Sequence, residues 1–143
     1  MTGEYALRAM LYICSKPFGN VFRISEISSE NEIPEKFLRK IIPLLSKAGL
    51  LKTRKGNGGG IILEKRPDKI TPLDIIESVE GKISLNKCLL YSKFCARDGY
   101  CSIHIVWAEA QKQLKKVLSE KNMEELAVEN SMRYLKFVSA SVA

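Results

Sequence analysis

Three of the four cysteines in this 143-residue chain, Cys88, Cys95 and Cys101, are separated by six and five residues, and His104, the sole histidine, follows three positions later. Thiolates are soft donors that select iron-sulfur clusters, zinc or copper(I), and one imidazole can complete a set of four ligands. Lys87, Lys93 and Arg97 lie among the cysteines. They are expected to lower the thiol pKa values and to offset the negative charge of thiolate ligands. Zinc on three cysteines and one histidine is the plainest occupant, but structural zinc sites usually carry close CxxC pairs, which are absent. A metal-free loop that senses redox state through its thiols is a third possibility. A histidine just inside a helix start is often only a surface group, so His104 is a candidate ligand and no more. Cys14 stands in an apolar helical stretch and reads as a small core residue.

A second set of residues suits nucleic acid. The net charge is +7, which favours an acidic partner. Lys36, Arg39 and Lys40 cluster in one segment, while Arg54 and Lys55 precede a run with glycines at 56, 58, 59 and 60. Such glycines let a backbone turn tightly and approach a sugar-phosphate chain or a minor groove. No GxxxxGK[ST] motif is present, so the run is not a nucleotide loop.

The elements that must position these residues follow from local signals. Residues 4 to 15 are strong helix formers with Ala6, Ala9, Met10 and Ile13 on one face. Pro17 and Gly19 break that helix, and Ser25 is expected to cap a short second one. Pro34 suits the first turn of a third helix, whose apolar face is Phe37, Leu38, Ile41, Leu45 and Ala48, with Gly49 at its C-terminal end. Pro43 lies inside it and predicts a kink rather than a break, because the apolar period continues across. LLKT, RKGNGGG and IILE then form a β-hairpin. Thr71-Pro72-Leu73-Asp74 predicts a capped fourth helix through Val79 to Gly81, and residues 82 to 101 read as a loop. Ile103, Val106, Trp107, Ala110, Leu114, Val117 and Leu118 recur at spacings of three and four, predicting a long helix with one apolar stripe. The stripe packs either on its own domain or on the same helix of a second chain. From Asn122 onward only a weak helix is expected.

The composition, 45% hydrophobic and 27% charged residues, suits one globular domain and argues against disorder. No segment approaches the ~20 apolar residues that span a bilayer, so no membrane association is expected. The N-terminus carries an acid before its apolar stretch and lacks the order of a secretory signal. A cytoplasmic protein is expected, whose cysteines are ligands or reactive thiols rather than disulfides. No nucleophile, base and orienting group recur together, which argues against an enzyme.

Three helices followed by a two-stranded wing give an α+β, mostly helical winged helix-turn-helix, with a long C-terminal dimerisation helix. EYALRAM, IPEKFLRKIIPLLSKAGLLKTRKGNGGG, ITPLDIIESVEG and the three spaced cysteines, over roughly residues 4 to 127, resemble the Rrf2 family of regulators. That family includes the iron-sulfur assembly regulator and the nitric-oxide-sensing repressor. The resemblance implies a homodimer built on the long helix, which grips double-stranded operator DNA with the third helix and the wing. Lys36 and Arg39 then take positions that touch bases and Lys55 that of the wing residue entering the minor groove. Ser25, Lys40, Arg54, Gly58 and Gly59 complete the DNA-binding candidates. At the Arg39 position an acid or neutral residue is common in some members, so the operator sequence does not transfer. The chain begins a few residues short of the family pattern, as though a small N-terminal strand were missing or trimmed.

The resemblance also favours an iron-sulfur cluster, [2Fe-2S] or [4Fe-4S], on Cys88, Cys95 and Cys101. The fourth ligand is His104 or, as in some members, an acid at the position of Glu4 contributed by the other subunit. Residues 1–81 are then the DNA-binding domain, 82–101 the cluster loop, and 102–143 the dimerisation helix and tail. The expected function is a repressor whose operator affinity is switched by the cluster. The alternative is a cluster-free or zinc-binding thiol redox sensor without cluster-dependent DNA binding.

Overall fold

The computed structural model describes residues 2–91 and 95–142. Six helices, α1 (Thr2–Cys14), α2 (Ile24–Asn31), α3 (Glu35–Lys47), α4 (Pro72–Glu80), α5 (Ser102–Ser119) and α6 (Met123–Val142), accompany one antiparallel hairpin of β1 (Leu51–Arg54) and β2 (Gly60–Leu63). Short 3-10 turns cover Pro67–Lys69 and Lys87–Leu89. Among the described residues no helix is long and apolar enough to cross a membrane.

The apolar face expected of α1 forms the centre of the core: Ala6, Ala9, Met10 and Ile13 are all buried. They meet Ile27 of α2, Leu38, Ile41 and Leu45 of α3, Ile75 of α4, and Leu51, Ile61 and Leu63 of the hairpin. Each large side chain withdrawn from water in this way contributes roughly 1.5–3 kcal/mol. The core therefore fixes α3 and the hairpin against α1 and leaves their outer surfaces free.

Ser25 is not the cap of α2. Arg23 holds that position in an extended conformation with no side-chain cap, and Ser25 falls in the first turn. The reason lies elsewhere in the chain. The Phe22 amide donates to Ile61 O and the Ile61 amide to Phe22 O, both at 2.8 Å, and this bridge keeps the backbone extended up to the helix start. Between α2 and α3 the chain reverses at Glu32, which adopts φ 52°. Ser28 Oγ donates to Ile33 O at 2.6 Å there, so a tight turn separates the two helices.

Pro34 precedes α3 as its N-cap, one residue earlier than expected, and the helix runs on across Pro43. The proline ring faces solvent, where water can serve the Arg39 carbonyl that loses its helical donor. Ile42 is buried on α3 whereas Ala48 is exposed as the C-cap. The amides of Gly49 and Leu50 donate to Ser46 O and Leu45 O, each at 3.0 Å, the paired bonds that close a helix at a glycine. In the hairpin Leu51 pairs with Leu63 and Arg54 with Gly60. The box at α4 forms as expected: the Asp74 amide donates to Thr71 Oγ1 and the Thr71 amide to Asp74 Oδ2.

Much of the stripe on α5 is left bare by its own domain, which covers Trp107, Leu114 and Leu118 only in part. The helix has no buried residue, and Ile103, Val106 and Val117 are each more than 60% exposed. The segment after Asn122 departs from expectation, being a 20-residue helix rather than a weak one. Asn122 Oδ1 accepts the Glu125 amide at 2.9 Å, which caps α6. The Met123 amide donates to Ile70 O at 2.7 Å, and Met123 and Ala127 enter the main core.

Candidate nucleic-acid interface and metal centre

The core buries one face of α3 through Leu38, Ile41, Ile42 and Leu45, so Lys36, Arg39 and Lys40 are exposed together on the other. Positions three and four apart on a helix are neighbours, and the three side chains make one basic strip. Arg39 Nη2 donates to Glu35 Oε2 at 3.2 Å. Both partners are exposed, and such a pair is worth at most ~1 kcal/mol, so it can open toward a phosphate or a base edge. Lys36 Nζ lies 5.2 Å from the centre of the Phe37 ring.

Arg54 ends β1 and Lys55 follows it, both exposed at the root of the wing. The turn needs its glycines. Gly58 has φ +76°, and a Cβ on Gly59 would collide with the carbonyl oxygen of Arg54. A cleft of about 530 Å³ separates the wing from the helices, lined by Arg23, Ser25, Arg39, Gly58 and Gly59 among others. The fold thus gathers four of the sequence-derived residues around one concavity. Lys36, Lys40, Arg54 and Lys55 do not line it and lie exposed on its flanks. Arg23 escaped the sequence analysis. Its only signal was a positive charge just ahead of α2, and placing the cap at Ser25 concealed it.

The second concavity holds the cysteines. A cavity of about 240 Å³ is lined by Cys88, Cys95, Asp98, Cys101, His104 and Trp107, with Asn86 and Ile103. Local turns deliver these residues. Asn86 Oδ1 accepts the Lys87 amide at 2.8 Å and opens the 3-10 turn that carries Cys88. The amides of Asp98 and Cys101 donate to Cys95 O and Arg97 O at 3.2 and 2.8 Å, folding the 95–101 segment back on itself. Cys101 is the N-cap of α5, so His104 sits in its first turn. The loop is clamped at its start: Glu77 Oε2 accepts the Ile83 amide at 2.9 Å and Gln111 Oε1 the Leu85 amide at 3.0 Å. The cavity is therefore tied to both α4 and α5.

The three thiols are half-buried and free of disulfides. Sulfur of Cys88, a carboxylate oxygen of Asp98 and a ring nitrogen of His104 all lie within 4.8 Å of one another. His104 Nδ1 is buried with no hydrogen-bond partner among the described residues. Its nearest acidic oxygen is Asp98 Oδ1 at 3.8 Å. Asp98 is the residue that sequence analysis missed, although an acid between Cys95 and Cys101 was the available signal.

One expectation needs correction. The Cys88 thiol pKa is raised, not lowered: desolvation comes first, followed by the negative charge of Asp98 and the neighbouring Cys95 and Cys101. Lys93 lies outside the described residues. Glu4 does not line the cavity of its own subunit; it is exposed on α1, where Arg8 Nη2 donates to its Oε1 at 2.6 Å. Cys14 is the core residue expected of it, and burial pushes its thiol up to about 12.

Comparison with known proteins accords with this architecture. Residues 1–129 match the Rrf2 family, described as iron-dependent transcriptional regulators. A protein of Aquifex aeolicus, named provisionally as an HTH-type transcriptional regulator, is 36% identical over 116 residues, covering 80% of each chain. The structure of CymR (YrzC), the global cysteine regulator of B. subtilis, superposes with TM-score 0.72 at 29% identity, over 90% of this chain and 95% of that one. T. potens IscR gives TM-score 0.72 at 25% identity, over 91% of this chain and 85% of its own. Members of this family regulate transcription and are not enzymes. With its winged helix, its basic α3 and its match over residues 1–129, the chain belongs to the Rrf2 family of DNA-binding transcription regulators.

Proposed function

We propose that this regulator is a cytoplasmic homodimeric repressor whose operator affinity depends on ligation of an iron-sulfur cluster by Cys88, Cys95 and Cys101. One observation carries the proposal: a single cavity holds all three thiols and an imidazole whose Nδ1 has no hydrogen-bond partner among the described residues, at the base of an α5 stripe left bare in one subunit. The donor set fits the group, since three soft thiolates and one further ligand are what such clusters require. When bound, a cluster supplies a redox couple and iron atoms open to small oxidants. The fourth ligand is His104, or Glu4 of the partner subunit.

The remaining roles belong to the chain. Ligated, Cys88 and Cys101 tie the 3-10 turn and the N-terminus of α5 to one point; released, they leave the Gln111–Leu85 hydrogen bond and local packing to hold the two together. Pairing of α5 stripes about a two-fold axis would bury Ile103, Val106 and Val117, and the clamp on α4 would pass any change of loop geometry to the two DNA-binding heads. Lys36 and Arg39 face the bases, Ser25, Lys40 and Arg54 the phosphates, and Lys55 the minor groove beside the Gly58–Gly59 turn. In this division residues 1–81 bind DNA, 82–101 hold the cluster, and 102–143 pair the subunits while Met123 and Ala127 anchor α6 in the core.

The test compares operator binding of cluster-loaded and metal-free protein at one salt concentration. A clear difference is expected. Equal affinities would remove the switch while leaving the DNA-binding role in place.

A further inference from the structure

The described donors nearest one another in the cysteine cavity are not the three thiols. Cys88, Asp98 and His104 form the closest set. Zinc bonds of about 2.0–2.3 Å to sulfur, nitrogen and oxygen place tetrahedral ligand atoms roughly 3.3–3.6 Å apart. The observed spread of no more than 4.8 Å therefore closes with small side-chain rotations. The 3.8 Å between Asp98 Oδ1 and His104 Nδ1 is too long for a hydrogen bond and close to the span of two ligands across one ion. Both side chains are largely withdrawn from water, 21% and 28% exposed. A partly buried carboxylate beside a thiol, facing an imidazole nitrogen without a partner, costs free energy unless a cation joins them.

We propose that Cys88, Asp98 and His104 form a preorganised three-donor site for one divalent transition-metal ion of the zinc or iron(II) class, for which Cys95 and Cys101 are not required. A thiolate and a carboxylate bring two negative charges, matching a 2+ ion, and the neutral imidazole completes the facial set. Water or a neighbouring thiol takes the fourth position. On ion binding Cys88 gives up its thiol proton to solvent and no redox change occurs. This site shares its cavity with the cluster but does not rest on that assignment. It makes Asp98 a ligand and gives the loop an occupied state that needs no sulfide.

The experiment is an anaerobic titration of reduced, metal-free full-length protein with cobalt(II), whose sulfur-to-metal and ligand-field bands report its donors. One ion per chain is expected, with a thiolate band, both in the natural protein and in a C95S/C101S variant. Asp98→Asn and His104→Ala are each expected to weaken binding at least about tenfold, with unchanged helical circular dichroism. Cobalt binding by Asp98→Asn equal to that of the natural protein would overturn the proposal, as would loss of the thiolate band in C95S/C101S. Iron and sulfide analysis of C95S/C101S after cluster reconstitution tests the cluster assignment separately, because those two residues matter only there.

Discussion

Gly59 lies so close to the carbonyl oxygen of Arg54 that any side chain at this position would collide with it. Backbone cannot yield as a flexible side chain does, so Gly59→Ala must reopen the wing turn. Operator affinity is expected to fall about tenfold or more, while far-ultraviolet circular dichroism keeps its helical signal because the core is untouched. Unchanged operator binding in a gel-shift or fluorescence-anisotropy assay would mean that the wing does not approach the duplex.

Arg39 and Lys40 are adjacent and exposed, yet are assigned different duties. Arg39→Ala should cost ~1–3 kcal/mol and alter the preferred base at one operator position, as expected for a residue reading a base edge. Lys40→Ala should weaken all sequences alike and reduce the salt dependence of binding by about one phosphate contact. Binding measured over a salt series on specific and scrambled duplexes separates the two, and identical behaviour of both variants would refute the assignment.

The bare stripe on α5 predicts a mutation at a distance from DNA that nevertheless weakens operator binding. Val106 and Val117 are 61% and 64% exposed in a single subunit, so a paired Val106→Glu and Val117→Glu substitution should leave subunit stability within about 0.5 kcal/mol. It should nevertheless convert a dimer to a monomer in sedimentation equilibrium. A natural protein that sediments as a monomer at micromolar concentration would count against α5 as a seam.

Burial of Cys14 gives stability an alkaline limit. Its pKa rises from 9.0 to about 12 on folding, so near pH 9 and above the unfolded chain loses a thiol proton that the folded chain keeps. The protective contribution is complete below pH 9 and disappears as pH climbs toward 12, at up to about 1.4 kcal/mol per pH unit. Tyr12 acts in the same sense: desolvation first, then its hydrogen bond to Glu26, raises its pKa from 10.0 to about 12. Urea denaturation between pH 8 and pH 11 should show falling stability, with a shallower fall in Cys14→Ala. Parallel curves for the two proteins would mean that Cys14 ionises as readily folded as unfolded.

Much of this molecule is written locally. The box at Thr71 and Asp74, the Gly49 stop after α3, the apolar faces of α1 and α3, and the glycine run of the wing each depend on bonds or contacts between near neighbours in sequence. They are therefore legible without coordinates. So is the cysteine spacing, because soft ligands need only lie within reach of one another in a loop.

What the sequence left open was decided by contacts between distant segments. Arg23 became the cap of α2 because β2 reaches back through Ile61 to hold Phe22 extended. The segment from Met123 became a firm helix because Met123 and Ala127, with Leu126 beside them, found space against the core, whereas its apolar residues from Val128 onward are scattered around the exposed surface and dilute any periodic signal. Asp98 joined Cys88 and His104 because a 3-10 turn, an irregular turn and the first turn of α5 converge there, and such turns carry no repeat from which convergence can be read. Residue type thus determined the chemistry available to the chain, and side-chain packing together with nonlocal hydrogen bonds decided which groups came close enough to perform it.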